Sequence, residues 1–75
     1  MKDYWTNERD GRIYGLHLQE KGSVVTWESN GNPHSEIGSA YTYQACLAGE
    51  LDSFVIQYLG ADVLDELKEA VKLRV

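Results

Sequence analysis

Residues 14–28 read YGLHLQEKGSVVTWE. Tyr14, Leu16 and Leu18 alternate with Gly15, His17 and Gln19; beyond Lys21-Gly22, Val25 and Trp27 alternate with Thr26 and Glu28. Two period-two runs around a glycine turn predict a β-hairpin. Its register decides the fold, because a one-residue slip turns every side chain to the opposite face of the sheet. Pairing Gln19 with Val24 through a two- or four-residue loop sets Leu18 opposite Val25 and Leu16 opposite Trp27. Tyr14, Leu16, Leu18, Val25 and Trp27 then share an apolar face, and His17, Gln19, Thr26 and Glu28 take the polar one. The slipped alternative would turn Trp27 to the polar side, so the sequence favours the first register.

Upstream, Tyr4-Trp5-Thr6 runs into Glu8-Arg9-Asp10-Gly11, where Asp-Gly predicts a tight turn. A three-residue loop there would set Trp5 across Gly15 and Glu8 across Arg12. An antiparallel three-stranded meander over about 2–7, 12–20 and 23–29 follows. Downstream, Ser29-Asn30-Gly31-Asn32-Pro33 carries the single proline and reads as a loop. After it the period becomes helical. Leu51, Phe54, Val55, Tyr58 and Leu59 form one stripe ending at Gly60, and Val63, Leu64, Leu67, Ala70 and Val71 form another with Asp62 as N-cap. Ile37, Tyr41, Ala45 and Ala48 suggest a further helix capped by Ser35 and ended by Gly49, although Tyr41-Thr42-Tyr43 also alternates as a strand would. The expected fold is a small α+β domain covering 1–75, its meander packed by two or three helices at about 36–48, 50–59 and 62–74. Two adjoining amphipathic helices that must each bury a stripe are expected to pack as an angled pair on the sheet.

The 75 residues suffice for one domain with a thin core, since a chain this short buries only about 60% of its unfolded surface. The one cysteine, Cys46, has no partner for an intrachain bridge and reads as a small buried residue in a reducing compartment. Residues 1–6 open no apolar stretch of signal-peptide length, and no apolar run is long enough to span a bilayer, so a cytoplasmic location is expected. Twelve acids oppose seven bases, a formal charge of −5. From Gly22 to Leu67 there is no Lys or Arg, while Glu28, Glu36, Glu50, Asp52, Asp62, Asp65 and Glu66 all fall there. Nucleic acid and anionic membranes are held by clustered bases, so direct binding to either is not expected. A protein partner with a basic or nucleic-acid-binding surface is compatible with this charge.

Catalytic and cofactor motifs do not emerge. The seven glycines stand singly, and neither GxGxxG nor a phosphate loop is present. His17 and His34 lie 17 residues apart without the close ligand pairs of a zinc site, so no metal is expected. No base adjoins Cys46 to lower its thiol pKa. A non-enzymatic chain without cofactor is the expectation. Candidate partner-binding residues are the aromatics Trp5 and Tyr43 and the acids Glu50, Asp52, Asp62, Asp65, Glu66 and Glu69. Trp5 has a competing use, closing the open end of a small core. The acids have one as well. Asp62, Asp65 and Glu66 precede Lys68, Lys72 and Arg74, an order that complements the helix dipole, with Asp65–Lys68 and Glu69–Lys72 as intrahelical pairs.

In length, acidity and lack of catalytic motif the chain is similar in class to small acidic proteins of phages and mobile elements. Inhibitors of uracil-DNA glycosylase and several anti-CRISPR and anti-restriction proteins are of this kind, and no motif is matched residue by residue. The similarity implies stoichiometric inhibition of host nucleic-acid-processing or defence machinery. The alternative is a small structural or assembly subunit that self-associates as a homodimer, since a thin core often needs a partner surface.

Overall fold

The computed structural model describes residues 2–30 and 37–75. Their order is β1 (Tyr4–Arg9), β2 (Arg12–Gln19), β3 (Ser23–Ser29), β4 (Ile37–Thr42), α1 (Tyr43–Leu47), α2 (Asp52–Tyr58) and α3 (Ala61–Lys72). The strands form one antiparallel sheet in the order β1-β2-β3-β4. The helices pack on one of its faces, so the domain has two layers.

The meander is as expected in outline, and its turns explain the registers. Asp10 and Gly11 both adopt positive φ, 53° and 77°, the two-residue turn that matches the twist of a hairpin. Arg9 therefore pairs with Arg12, Glu8 with Ile13 and Trp5 with Leu16, not with Gly15 as a longer loop would require. Between β2 and β3 the loop has three residues and Gly22 takes φ 83°, so Gln19 pairs with Ser23 and Leu18 with Val24. An odd loop length leaves the face of β2 as expected and reverses that of β3. Tyr14, Leu16, Leu18, Val24 and Thr26 are the buried set on the helix side, while Val25 and Trp27 sit half-buried on the other.

The reason lies at Gly15, which pairs directly with Trp27. A Cβ on Gly15 would stand 2.2 Å from the Trp27 ring. The indole lies across a glycine that gives it room, an arrangement that shields exposed backbone with aromatic surface. Hydropathy alone assigns Trp27 to the core; shape assigns it to the opposite face.

The expected helix at 36–48 is a strand for its first part. Residues 37–42 pair with β3, Ile37 with Glu28 through Thr42 with Ser23. The backbone groups on that side of β3 would otherwise lack partners beside buried Val24 and Thr26, and strand pairing overrides the local helix preference. Thr42 then ends the strand and caps α1, its Oγ1 accepting from the Ala45 N–H at 3.0 Å. The proposed cap Ser35 lies outside the described residues. Gly49 follows α1 at φ 92°, and Gly60 at φ 109° separates α2 from α3. Gly60 ends α2 as expected and also occupies the N-cap of α3, with Asp62 inside the first turn instead.

The core joins Trp5, Leu16, Leu18 and Val24 of the sheet to Tyr43, Cys46, Leu51, Val55, Leu64, Leu67, Ala70 and Val71 of the helical layer. A second aromatic group ties β2 to α2: Tyr14 stacks on Tyr58 at 4.0 Å between centroids, and Phe54 meets both rings. Replacing Gly15 by Ala usually helps a strand by limiting the unfolded chain. Here Gly15→Ala displaces the Trp27 ring and is expected to cost about 1–3 kcal/mol by denaturant unfolding. In a Trp27→Val background the same alanine should cost little, and an unchanged penalty there would show that Trp27 is not the obstacle.

Candidate functional site

The described residues offer three surfaces: the outer side of α3, the cleft where α3 meets β1, and the sheet face that the helices leave open. Each is built from residues whose neighbours constrain what they can do.

Along α3, Leu64, Leu67, Ala70 and Val71 face the core and Asp62, Asp65, Glu66 and Glu69 face outward. Lys68 leaves this stripe. Its Nζ reaches both Asp52 carboxylate oxygens on α2 at 3.2 Å. The expected Asp65–Lys68 pair is thus replaced by a bridge between helices, because Lys68 projects toward α2 and Asp52 sits in that helix's first turn. The outer stripe of α3 keeps its acids without a base set among them until Lys72. Glu50 is exposed in the turn before α2.

Trp5 and Tyr43 belong to the core. Trp5 is 3% exposed, and its indole N–H donates to Glu66 Oε2 at 2.7 Å, which supplies the partner a buried indole needs. Tyr43 is 5% exposed and its hydroxyl donates to the Gln19 carbonyl, while its backbone N–H donates to that of Gly22 at 3.1 Å. Tyr43 therefore clamps the β4–α1 junction to the β2–β3 turn. Of the eight candidate residues, Glu50, Asp62, Asp65, Glu66 and Glu69 are exposed, Asp52 is paired with Lys68, and the two aromatics serve packing.

Beside Trp5 the surface dips into a cavity of ≈ 280 Å³ lined by Lys2, Trp5, Glu66, Glu69 and Ala70. It brings Trp5, Glu66 and Glu69 together from elements 61 residues apart. The open sheet face carries Tyr4, His17, Val25 and Trp27; Tyr4 is 47% exposed and its ring meets His17 edge-on at 5.8 Å and Trp27 at 6.3 Å. Glu8 is the one Asp, Glu, Lys or Arg that the register places on that face among the described strand residues. Sequence reasoning missed this surface. The signal was Gly15, the one residue in its strand small enough to admit an indole.

Cys46 is fully buried, and burial pushes its thiol up, with nearby Asp52 adding to the rise and Lys68 opposing it. A raised thiol is the reverse of what a nucleophile needs at neutral pH. His17 lies on the open face, His34 is outside the described residues, and no group of three potential metal ligands occurs among those described. Among them, too, no helix is long and apolar enough to cross a membrane.

Two outcomes follow for the Asp52–Lys68–Cys46 region. Lys68→Met leaves a covered Asp52 oxygen without its cation and is expected to cost about 1–2 kcal/mol in a urea melt, the lower part of the usual range because the side chains are 28% and 35% exposed. Asp65→Asn should move the midpoint far less; an equal loss would restore the intrahelical pair. For Cys46, the neutral thiol is the folded form. Its stabilising effect is complete below the unfolded thiol pKa of about 8.5 and is lost as pH rises through the higher folded value. A thiol reagent should therefore label native chain slowly and denatured chain fast, and Cys46→Ala should flatten the alkaline fall in stability. Equal labelling rates in both states would contradict the burial.

Compared with protein-family models, with curated proteins and with solved structures, the chain finds no match, so a reading of its function rests on these surfaces.

Proposed function

We propose that the protein is a non-catalytic binding module that acts by stoichiometric contact with a protein partner bearing a basic surface. The observation that carries this reading is the outward stripe of α3, where Asp62, Asp65, Glu66 and Glu69 stand exposed while Lys68 is drawn away to Asp52. A stripe of unneutralised carboxylates on a rigid helix speeds encounter with a positive surface and favours it over other partners. The finer reading is an accessory protein of a phage or mobile element that occupies host nucleic-acid-processing or defence machinery. Its support is the base-free acidic middle of the chain, which suits a partner whose own surface is built for phosphates.

A second reading is self-association as a small assembly subunit. The open sheet face favours it, because Tyr4, His17, Val25 and Trp27 form a charge-poor patch in a chain of net charge −5. Two copies meeting there would keep the acids of their α3 helices apart.

Affinity capture at low and moderate salt separates the readings. For the first, a retained protein should be released as salt rises and should be lost from an Asp62→Asn, Asp65→Asn, Glu69→Gln variant, since exposed charges are screened over about 8–10 Å at such ionic strength. Retention indifferent to both changes would remove the acidic stripe from the reading. For the second, sedimentation over a concentration series should show a dimer that Tyr4→Ser weakens, and a monomer at every concentration would exclude it.

A further inference from the structure

The cavity between β1 and α3 has a chemistry of its own. It is lined by Lys2, Trp5, Glu66, Glu69 and Ala70. The Trp5 indole N–H holds Glu66 at 2.7 Å, which fixes one carboxylate beside the aromatic ring. The chain already seats a cation of its own at this place, the Lys2 ammonium lying 6.0 Å from the Trp5 ring centroid. Yet among the described residues no base lies within ion-pair distance of Glu66 or Glu69. An aromatic wall, a fixed carboxylate, a second carboxylate and a loosely held internal cation define a receptor for a positive group.

We propose that this cavity receives the guanidinium of an arginine from the protein partner, which enters against Trp5 and between Glu66 and Glu69 and displaces Lys2. The inference rests on the proposed function and narrows it to one site and one ligand chemistry. Arginine fits better than lysine, because a planar guanidinium stacks on an indole face while its fork bonds carboxylates in two directions. A side chain of a docked protein fits better than a free cation, because Glu66 and Glu69 belong to the same outward stripe as Asp62 and Asp65. A basic surface lying along α3 therefore reaches the cavity without changing direction. Lys2 acts as a built-in competitor that keeps the site occupied in the free protein.

The two tryptophans make the test direct. Trp5 lines the cavity and Trp27 lies on the opposite face of the sheet, so their indole N–H resonances report on site and control in one sample. A Gly-Arg-Gly peptide added to the isotopically labelled chain should shift the Trp5 signal saturably and leave Trp27 unmoved, while its citrulline counterpart should do nothing. Lys2→Met should tighten binding about two- to fivefold, the order of one cation–π contact, and Glu69→Gln should weaken it by a similar factor, the order of one ion pair at the surface. Lys21→Met, which removes an exposed charge from the β2–β3 turn, should change little.

A Trp5 signal that never saturates, an equal response to citrulline, or Lys21→Met matching Lys2→Met would overturn the proposal. So would saturation by tetramethylammonium without any response to the arginine peptide, which would make the cavity a small-cation site. If an oligoarginine peptide shifts the backbone amides of Asp62 and Asp65 while Trp5 stays silent, the cavity fails and the binding-module reading stands. Silence at both places removes the basic-partner reading as well.

Discussion

The position of the Trp27 indole across Gly15 is the constraint on which the rest of the domain depends. A Cβ at Gly15 would fall 2.2 Å from that ring, so the close approach exists because the residue is glycine. With Trp27 on the open face, strand alternation commits Val24 and Thr26 to the helix side, opposite Leu18 and Leu16. That set is compact and leaves room for Val55, Leu67 and Val71 to descend onto the sheet. That layer already holds the Trp5 indole, and a second one would take the space these side chains fill. The three-residue loop closed by Gly22 enforces the same parity from the other end of the hairpin.

A core this thin is stabilised by joining the two ends of the chain. Trp5 in β1 donates to Glu66 in α3 across 61 residues, and β1 adds two further ties at the end of α2. Asn7 Nδ2 donates to the Tyr58 carbonyl at 2.8 Å, and the Arg9 guanidinium donates to that of Gln57. Those are carbonyls that the last turn of a helix leaves without partners, and a guanidinium also complements the negative end of the helix dipole. The first strand is thus held by the last two helices as well as by its neighbour in the sheet. None of these three contacts is local in the chain.

Charge is arranged by the same packing. Lys68 crosses to Asp52 and so bridges α2 and α3, which removes a base from the outer stripe of α3 and leaves Asp62, Asp65, Glu66 and Glu69 to define its potential. Glu66 has two uses at once. It satisfies a buried indole and it presents negative charge at the mouth of a cavity. Trp5 was a candidate contact residue and a candidate core residue, and the structure shows why the choice is less sharp than it looks: a side chain 3% exposed still forms the wall of a surface cavity.

The sequence by itself determined the element types wherever a pattern and its punctuation agreed. Asp10-Gly11 marked the first turn and with it β1, and period-two runs marked β2 and β3. Gly60 divided two helical stripes, and the buried face of α3 followed from its spacing. It also determined the net charge, the base-free middle and the isolation of Cys46. Tertiary structure decided what depends on neighbours far away in the chain. The face taken by Trp27 turned on the volume at Gly15, and residues 37–42 became a strand because β3 had an edge to fill. Lys68 chose Asp52 over Asp65 because α2 lies beside it, and the cavity of Trp5, Glu66 and Glu69 exists because β1 meets α3. Hydropathy spacing reports which residues prefer to be dry; which of them fit together is a matter of shape, and shape is settled only when the distant segments meet.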